Sequence, residues 1–346
     1  MLRQLALRSD TYFCRENSRQ AVPDGMKPFT LAAAWKLRRA VRAGEYDLVV
    51  SFSNPEPIWR QDTNWLSNSL KAAKKFLTRP GTLGFCFLPW ILKGSTVALA
   101  VYEWEDNTVI ARKNWALLRR ATCYFKLQSP RNPYKAFFFQ DKRNDCLFNI
   151  VRQPVYREWA QKLRPIGIGV TVPENLDELQ AAEKKTDIFF AGATHYSWAR
   201  LEGLRHLEEL RQEGFKIDLH LTDAKVPALP PDEFLRRCSQ AWLVWSPEGA
   251  GWDGMRHYWP LLMGSVPLLN HPDTRRYQPL IDGVHAFYYG VEDDDLKRVG
   301  RMALSDKARL RRMAAEGLAF IRPRHTHPVL AEYLIAETLK TASGAE

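Results

Sequence analysis

Apolar positions along the chain recur with two periods. Over residues 29–43, Leu31, Trp35, Leu37 and Val41 alternate with basic residues at the spacing of an amphipathic helix, and Gly44 ends it. The run Asp47-Leu48-Val49-Val50-Ser51-Phe52 then predicts a short buried strand that stops at Ser53-Asn54-Pro55. Further strands are expected at 84–88, 95–101 and 124–127, with a helix at 114–121 and a loop at 130–133. The second half restarts the pattern. Ile188-Phe189-Phe190-Ala191 predicts a strand closing on Gly192, and Leu201, Leu204, Leu207 and Leu210 mark a helix over 198–213 that Gly214 ends. A strand at 215–221, a helix at 231–240 opened by Asp232, a strand at 241–245, a helix at 255–263 and a strand at 266–269 follow. Helices at 296–315 and 329–339 close the chain. Short apolar strands alternating with amphipathic helices predict an α/β protein with parallel sheets.

This rhythm breaks once, in the polar stretch 173–185, and no internal repeat of fixed period connects the halves. Two domains are therefore expected. Residues 1–172 would form one Rossmann-like domain and 186–322 a second. Residues 323–346 would form a last helix packing back on the first domain. At 346 residues and 45% hydrophobic content, the chain can fill two cores of ordinary size.

The formal net charge of +11 suits phosphate-bearing ligands, nucleic acid or an anionic membrane face. The basic residues are scattered in pairs such as Arg38-Arg39 and Arg311-Arg312, which reads first as solvated helix faces. The 5 cysteines lack any CxxC spacing, which argues against a disulfide framework or a structural zinc site and for reduced thiols. No apolar stretch approaches the ~20 residues needed to cross a bilayer. A cytoplasmic protein is expected, resting at most on the inner face of a membrane.

Ligands of open parallel sheets bind at the carboxyl ends of the strands, and three segments there carry candidate chemistry. In the first, Gly192 lets backbone approach a ligand, His195 lies in the turn, and Arg200 sits one turn inside a helix whose N-terminus favours phosphate. The bland alternative is a plain strand-to-helix turn with a surface arginine. The second runs from Ser246 through Glu248 and Gly249 to Arg256 and His257. Its glycines at 249, 251 and 254 make a loop whose N–H groups can turn inward, Glu248 can accept sugar or ribose hydroxyls, and Arg256 and His257 open the next helix. Its alternative is a glycine-rich connector with exposed charges. The third, Glu103-Trp104-Glu105-Asp106-Asn107, gathers carboxylates suited to a general base, or simply forms a solvated acidic turn. The run Glu292-Asp293-Asp294-Asp295 reads as the acidic start of a helix. The His325/His327 pair lacks the further ligands a metal site needs.

The stretch from Pro247-Glu248-Gly249 through Arg256 to Gly264, Val266 and Pro267 resembles the donor-binding signature of GT-B glycosyltransferases, and within them the exostosin-like family. The family's helix carries a glutamate five residues before the glycine. Here Trp259 stands there, followed by Pro260, so the donor contact passes to Glu248 or is made differently. The resemblance covers 187–269 and implies two Rossmann-like domains facing across a cleft, with 1–172 binding the acceptor and 186–322 the nucleotide sugar. It also implies transfer of a sugar from a nucleotide-sugar donor to a saccharide or lipid-linked acceptor in cell-surface polysaccharide synthesis. The nucleotide sugar is a substrate, and neither cofactor nor metal is expected, because basic groups and a helix N-terminus neutralise the departing diphosphate.

The expected assignments follow. Asp106, with Glu105 second, is the base. Arg256 is both catalytic and donor-binding, and Gly192, His195, Arg200, Ser246, Glu248, Gly249 and His257 complete the donor site. No nucleic-acid partner is expected of the enzyme. The rival class is a non-catalytic protein on the same two domains, binding saccharide or nucleic acid through its basic, aromatic-rich surface.

Overall fold

The computed structural model describes residues 9–13, 21–53, 83–111, 114–138, 153–195 and 197–344. The chain divides into two compact units. The first comprises Met1–Arg164 with Ala331–Glu346, and the second Pro165–Leu330.

The first unit is built on a sheet of four strands in the order β1-β2-β3-β4: Leu48–Phe52, Ala98–Glu103, Cys123–Lys126 and Leu163–Pro165. β1, β2 and β3 run parallel. Every residue of β2 is buried, as a strand covered on both faces requires. Helices α1 (Leu31–Arg42), α2 (Leu83–Ile91), α3 (Trp115–Arg120) and α4 (Gln153–Lys162) accompany it. Its core joins Ala34 and Val41 of α1 to Leu99, Val101, Leu117, Tyr124, Phe137, Tyr156 and Trp159.

The strand expected at 84–88 is part of helix α2. The apolar run there continues to Ile91 and so fills a helix, a case that hydrophobicity alone does not separate from a buried strand. Helix α4 was not foreseen.

The second unit is a five-stranded sheet of β5 (Thr186–Ala193), β6 (Ile217–Thr222), β7 (Ala241–Trp245), β8 (Val266–Asn270) and β9 (Phe287–Tyr289), in the order β9-β8-β7-β5-β6. All four pairings are parallel. Consecutive residues point to opposite faces, and both faces are covered. Phe189, Val244, Leu269 and Tyr288 face one core with Phe234, Leu261 and Met263. Ile188, Phe190, Leu243, Trp245, Leu268 and Tyr289 face the other with Leu207, Leu210, Val299 and Met313. This two-sided burial explains why the strands read as unbroken apolar runs.

Helices α5 (Leu176–Gln180), α6 (Trp198–Gln212), α7 (Pro231–Ser239), α8 (Trp259–Leu262), α9 (Asp295–Leu304) and α10 (Lys307–Ile321) belong to this unit. Helix α11 (His327–Ser343) begins in it and ends in the first. α6 lies close on β7 because Gly203 presents no side chain to the Trp245 ring, which a Cβ would strike.

Two expected helices are each divided. The one at 255–263 becomes a 3-10 turn, Met255–His257, followed by α8, with Pro260 in the first turn of α8 where a missing N–H costs nothing. The one at 296–315 breaks before Asp306, whose carboxylate accepts from the Arg309 N–H at 2.8 Å and so caps a new helix. The short strand β9 was not foreseen.

Among the described residues, no helix is long and apolar enough to cross a membrane. Cys123 and Cys238 are buried and free, and burial pushes the Cys238 thiol up.

Candidate active site at the strand switch of the second unit

In the order β9-β8-β7-β5-β6 the winding reverses between β5 and β7. A crevice opens at the carboxyl ends of strands at such a reversal, and ligands of doubly wound sheets bind there. The two segments that follow β5 and β7 are the first two candidates from the sequence, and the structure brings them together.

They are cross-braced. Arg256, in the turn after β7, donates from Nη1 to the Ala191 carbonyl of β5 at 2.8 Å. Its guanidinium fills the space over Gly192, where any Cβ would collide with it. Arg200, in the first turn of α6 after β5, donates from Nε to the Glu248 carbonyl at 2.9 Å and from Nη1 to the Ala193 carbonyl at 2.6 Å. A Cβ on Gly249 would lie 2.8 Å from Arg200 Nη2. Each segment thus supplies a glycine that makes room for the arginine of the other. The space over Gly192, expected to admit a ligand close to the backbone, holds the Arg256 guanidinium.

The two arginines differ in exposure. Arg200 is 2% exposed, with Nε and Nη1 turned to backbone carbonyls. Ser197 completes this brace by accepting from the Arg200 N–H at 3.3 Å and donating to the Glu248 carbonyl at 3.0 Å. Arg256 is only partly buried. Apart from its bond to Ala191, its guanidinium N–H groups make no hydrogen bond to the described residues. Arg200 thus ties the two turns through Nε and Nη1, while Arg256 keeps N–H groups that no described residue accepts.

Glu248 is half-buried and held by a residue the sequence reading missed. Asn270, at the end of β8, accepts from the Glu248 N–H at 2.8 Å and donates to Glu248 Oε2 at 3.1 Å. Oε1 has no hydrogen-bond partner among the described residues, so an oriented carboxylate oxygen remains for a hydroxyl. Desolvation raises the Glu248 pKa, against the lowering by the Asn270 amide.

The glycine-rich loop is anchored from behind by another unforeseen group. Asp253 and Arg276 form a buried ion pair at 2.9 Å, each side chain 4% exposed. Tyr258 donates to Asp253 at 3.1 Å and also meets Arg276. The Arg276 guanidinium stacks 4.0 Å from the Trp252 ring centre, and Trp252 Nε1 donates to the Asn270 carbonyl at 3.1 Å. These contacts fix the turn that carries Arg256. The signal in the sequence was weak, because Arg276 stands outside the loop it secures.

The remaining expected donor residues lie as follows. Ser246 is 1% exposed at the end of β7, with a hydroxyl that has no partner among the described residues. His257 is 2% exposed, edge-on to Trp252 at 4.4 Å between ring centres. Desolvation, with Arg276, Arg256 and Arg200 nearby, holds its pKa well below the usual range, so it is a neutral core histidine. His195 is exposed in the turn after β5.

In the first unit, the carboxylate run after β2 is not a uniform solvated turn. Glu103 belongs to the strand, is fully buried, and pairs with the Lys126 ammonium and the Tyr124 hydroxyl. Lys126 also donates to the Asn107 carbonyl at 2.6 Å, pinning the loop at its far end. Glu105 is partly buried, and Asp106 is exposed between these anchors. Beside them stand the exposed rings of Phe52 and Trp104, 6.4 Å apart between ring centres, with the buried Tyr102 ring 5.5 Å from Phe52. Among the described residues no group of three or more His, Cys, Asp or Glu side chains is placed to hold a metal ion.

The sequence matches no protein-family model and no curated protein sequence. Solved structures do match. Sucrose-phosphate synthase from Thermosynechococcus elongatus superposes with a TM-score of 0.52 at 10% identity, covering 100% of this chain and 91% of that one. An alpha-glucosyltransferase, in complex with UDP and a 13-mer DNA containing a central A:G mismatch, superposes with a TM-score of 0.50 at 12% identity, covering 96% and 88%. The fold is that of GT-B glycosyltransferases. It is an α/β fold of two Rossmann-like domains.

Proposed function

We propose that the protein is a glycosyltransferase that moves a sugar from a nucleotide-sugar donor to a saccharide or lipid-linked acceptor. The observation that carries this reading is the Arg256 guanidinium, held over Gly192 at the strand switch with N–H groups to spare. A nucleoside diphosphate leaving group is an anion that develops charge as the glycosidic bond breaks. A fixed guanidinium at the carboxyl end of β5 stabilises that charge more in the transition state than in the ground state. Arg200 adds positive potential from beneath without contact. Glu248 Oε1, oriented by Asn270, accepts a hydroxyl of the donor, the task that falls to another residue where Trp259 replaces the family glutamate. The spacing of Pro247, Glu248, Gly249, Arg256 and Gly264 supports the exostosin-like reading within the fold.

The acceptor belongs, on this reading, to the first domain. Its exposed Phe52 and Trp104 rings offer faces on which sugar rings stack, and Asp106, with Glu105 second, takes the acceptor's proton. Because Arg256 meets the diphosphate, the reaction proceeds without a metal ion. The UDP held by the alpha-glucosyltransferase of the same fold makes UDP-sugars the first donors to try.

The test is a thermal-shift screen of UDP, GDP, ADP and their sugars, followed by assay of nucleoside diphosphate release. A ligand that binds the folded state at about 100 times its Kd stabilises it by ~2.7 kcal/mol. One nucleotide is expected to raise Tm in wild type and much less in Arg256→Ala. If no nucleotide shifts Tm, or if Arg256→Ala responds as wild type does, the proposal is wrong.

A further inference from the structure

Helix α1 turns a face to solvent that a helix of a soluble domain would normally bury. Its inward residues are small, with Ala34, Ala40 and Val41 in the core. Leu31 and Trp35, four residues apart on one side, are 61% and 60% exposed. Trp35 continues inward to Trp90, edge-on at 4.9 Å between ring centres, so the exposed ring is braced rather than free to fold away. Cations surround this apolar patch. Lys36, Arg39 and Arg42 are exposed on the helix, which contains no acidic residue. Arg38 lies with its guanidinium 4.4 Å from the Trp90 ring centre. Arg42 donates to the Lys93 carbonyl at 3.2 Å, which brings the exposed Lys93 to the same rim.

We propose that this patch docks the protein on an anionic lipid bilayer, with Leu31 and Trp35 entering the headgroup boundary and Lys36, Arg39, Arg42 and Lys93 meeting lipid phosphates. Tryptophan suits that depth, since its ring is apolar and its N–H needs a polar partner. Lysine and arginine lay their stems along the apolar zone and keep their charges at the phosphates. An interfacial helix of this kind couples a modest apolar area to a cationic rim, and each basic residue near an anionic surface adds to the attraction until salt screens it. Charge complementarity commits the patch to a membrane carrying negative lipid. The inference does not rest on the donor site, which lies in the other unit.

The experiment is co-sedimentation of the full chain with vesicles of phosphatidylcholine alone and of phosphatidylcholine with phosphatidylglycerol, read at low and at high salt. Wild type is expected to sediment with the anionic vesicles at low salt, to be released by salt, and to ignore the neutral ones. The K36E/R39E pair, on exposed side chains outside the core, is expected to weaken binding roughly tenfold or more. The L31S/W35S pair is expected to weaken it comparably with charge unchanged. Circular dichroism checks the fold of each, and if the apolar pair misfolds the charge pair decides alone. Sedimentation of either folded variant like wild type, equal binding to neutral vesicles, or no binding of wild type overturns the proposal. So does a single-stranded oligonucleotide that binds wild type and L31S/W35S equally and competes with the vesicles, for it would assign the cations to nucleic acid.

Discussion

Gly192 and Arg256 share one volume: the space a Cβ would take on the glycine is filled by the guanidinium of the arginine. Gly192→Ala is therefore expected to push Arg256 off its Ala191 anchor without unfolding the sheet. Transfer should fall about tenfold, while Arg256→Ala falls by ~10²–10³, the usual range for a group that stabilises transition-state charge. The informative comparison is the double variant. If the glycine acts only through the arginine, adding Gly192→Ala to Arg256→Ala costs nothing further. Additive losses in kcat/KM would show that Gly192 serves the ligand directly.

Arg200 and Arg256 should separate cleanly in the test tube. Arg200→Ala strands the Glu248 and Ala193 carbonyls and removes a cation from a fully packed position. It is expected to cost about 2–3 kcal/mol of stability, seen as a Tm lower by roughly 5–10 °C. Arg256→Ala should leave Tm nearly unchanged and remove activity. Equal Tm losses for the two would mean that the Arg256 bond to Ala191 supports the fold as strongly as the Arg200 bonds do.

How far the site was legible depends on what each residue's use requires. Gly192 and Arg256 stood out because glycine and a cation in strand-to-helix turns are local signals, and the turns fall where a parallel sheet binds ligands. Arg200 stood out for the same reason, yet its burial depends on which side of α6 meets β7. That contact is set by Gly203 against Trp245, a pairing of helix and strand that neither turn shows by itself. His257 looked like a partner for Arg256 by adjacency, but successive residues of a turn diverge, and it points under Trp252. Asn270 ends a different strand, β8, and Arg276 comes after it, so only the pairing of β7 with β8 reveals that they hold Glu248 and Asp253. The strand pattern was clearest where both faces are buried, as in Ile188-Phe189-Phe190, and failed at Leu83–Ile91, where an apolar run filled a helix.

Glu248 is expected to act in binding the donor more than in the chemical step. Asn270→Ala frees the carboxylate and leaves the Glu248 N–H without its acceptor. It should raise the donor KM several-fold with kcat little changed, the mark of a contact made equally in ground and transition states. Glu248→Gln, which keeps an oxygen acceptor, should be milder than Glu248→Ala. A fall in kcat with constant KM for either Glu248 variant would move the residue into the chemistry.

Stability should depend on acid through the buried histidines of the second unit. His325 is fully buried, stacked 4.5 Å from Tyr258 between ring centres, with Nε2 2.8 Å from the Gln278 carbonyl. Desolvation lowers its pKa from 6.5 to about 4. The folded state thus binds the proton more weakly than the unfolded chain, so this contribution is intact above pH ~6.5 and is lost progressively as pH falls towards about 4. The difference corresponds to about 3 kcal/mol at the low end. His257, held down in the same direction, adds to the slope. Urea unfolding midpoints measured from pH 7.5 to 4 should fall below pH 6.5, and His325→Phe should flatten that fall even though it forfeits the bond to Gln278. An unchanged slope in His325→Phe would mean that the histidine finds a charged-form partner on protonation and carries no acid sensitivity.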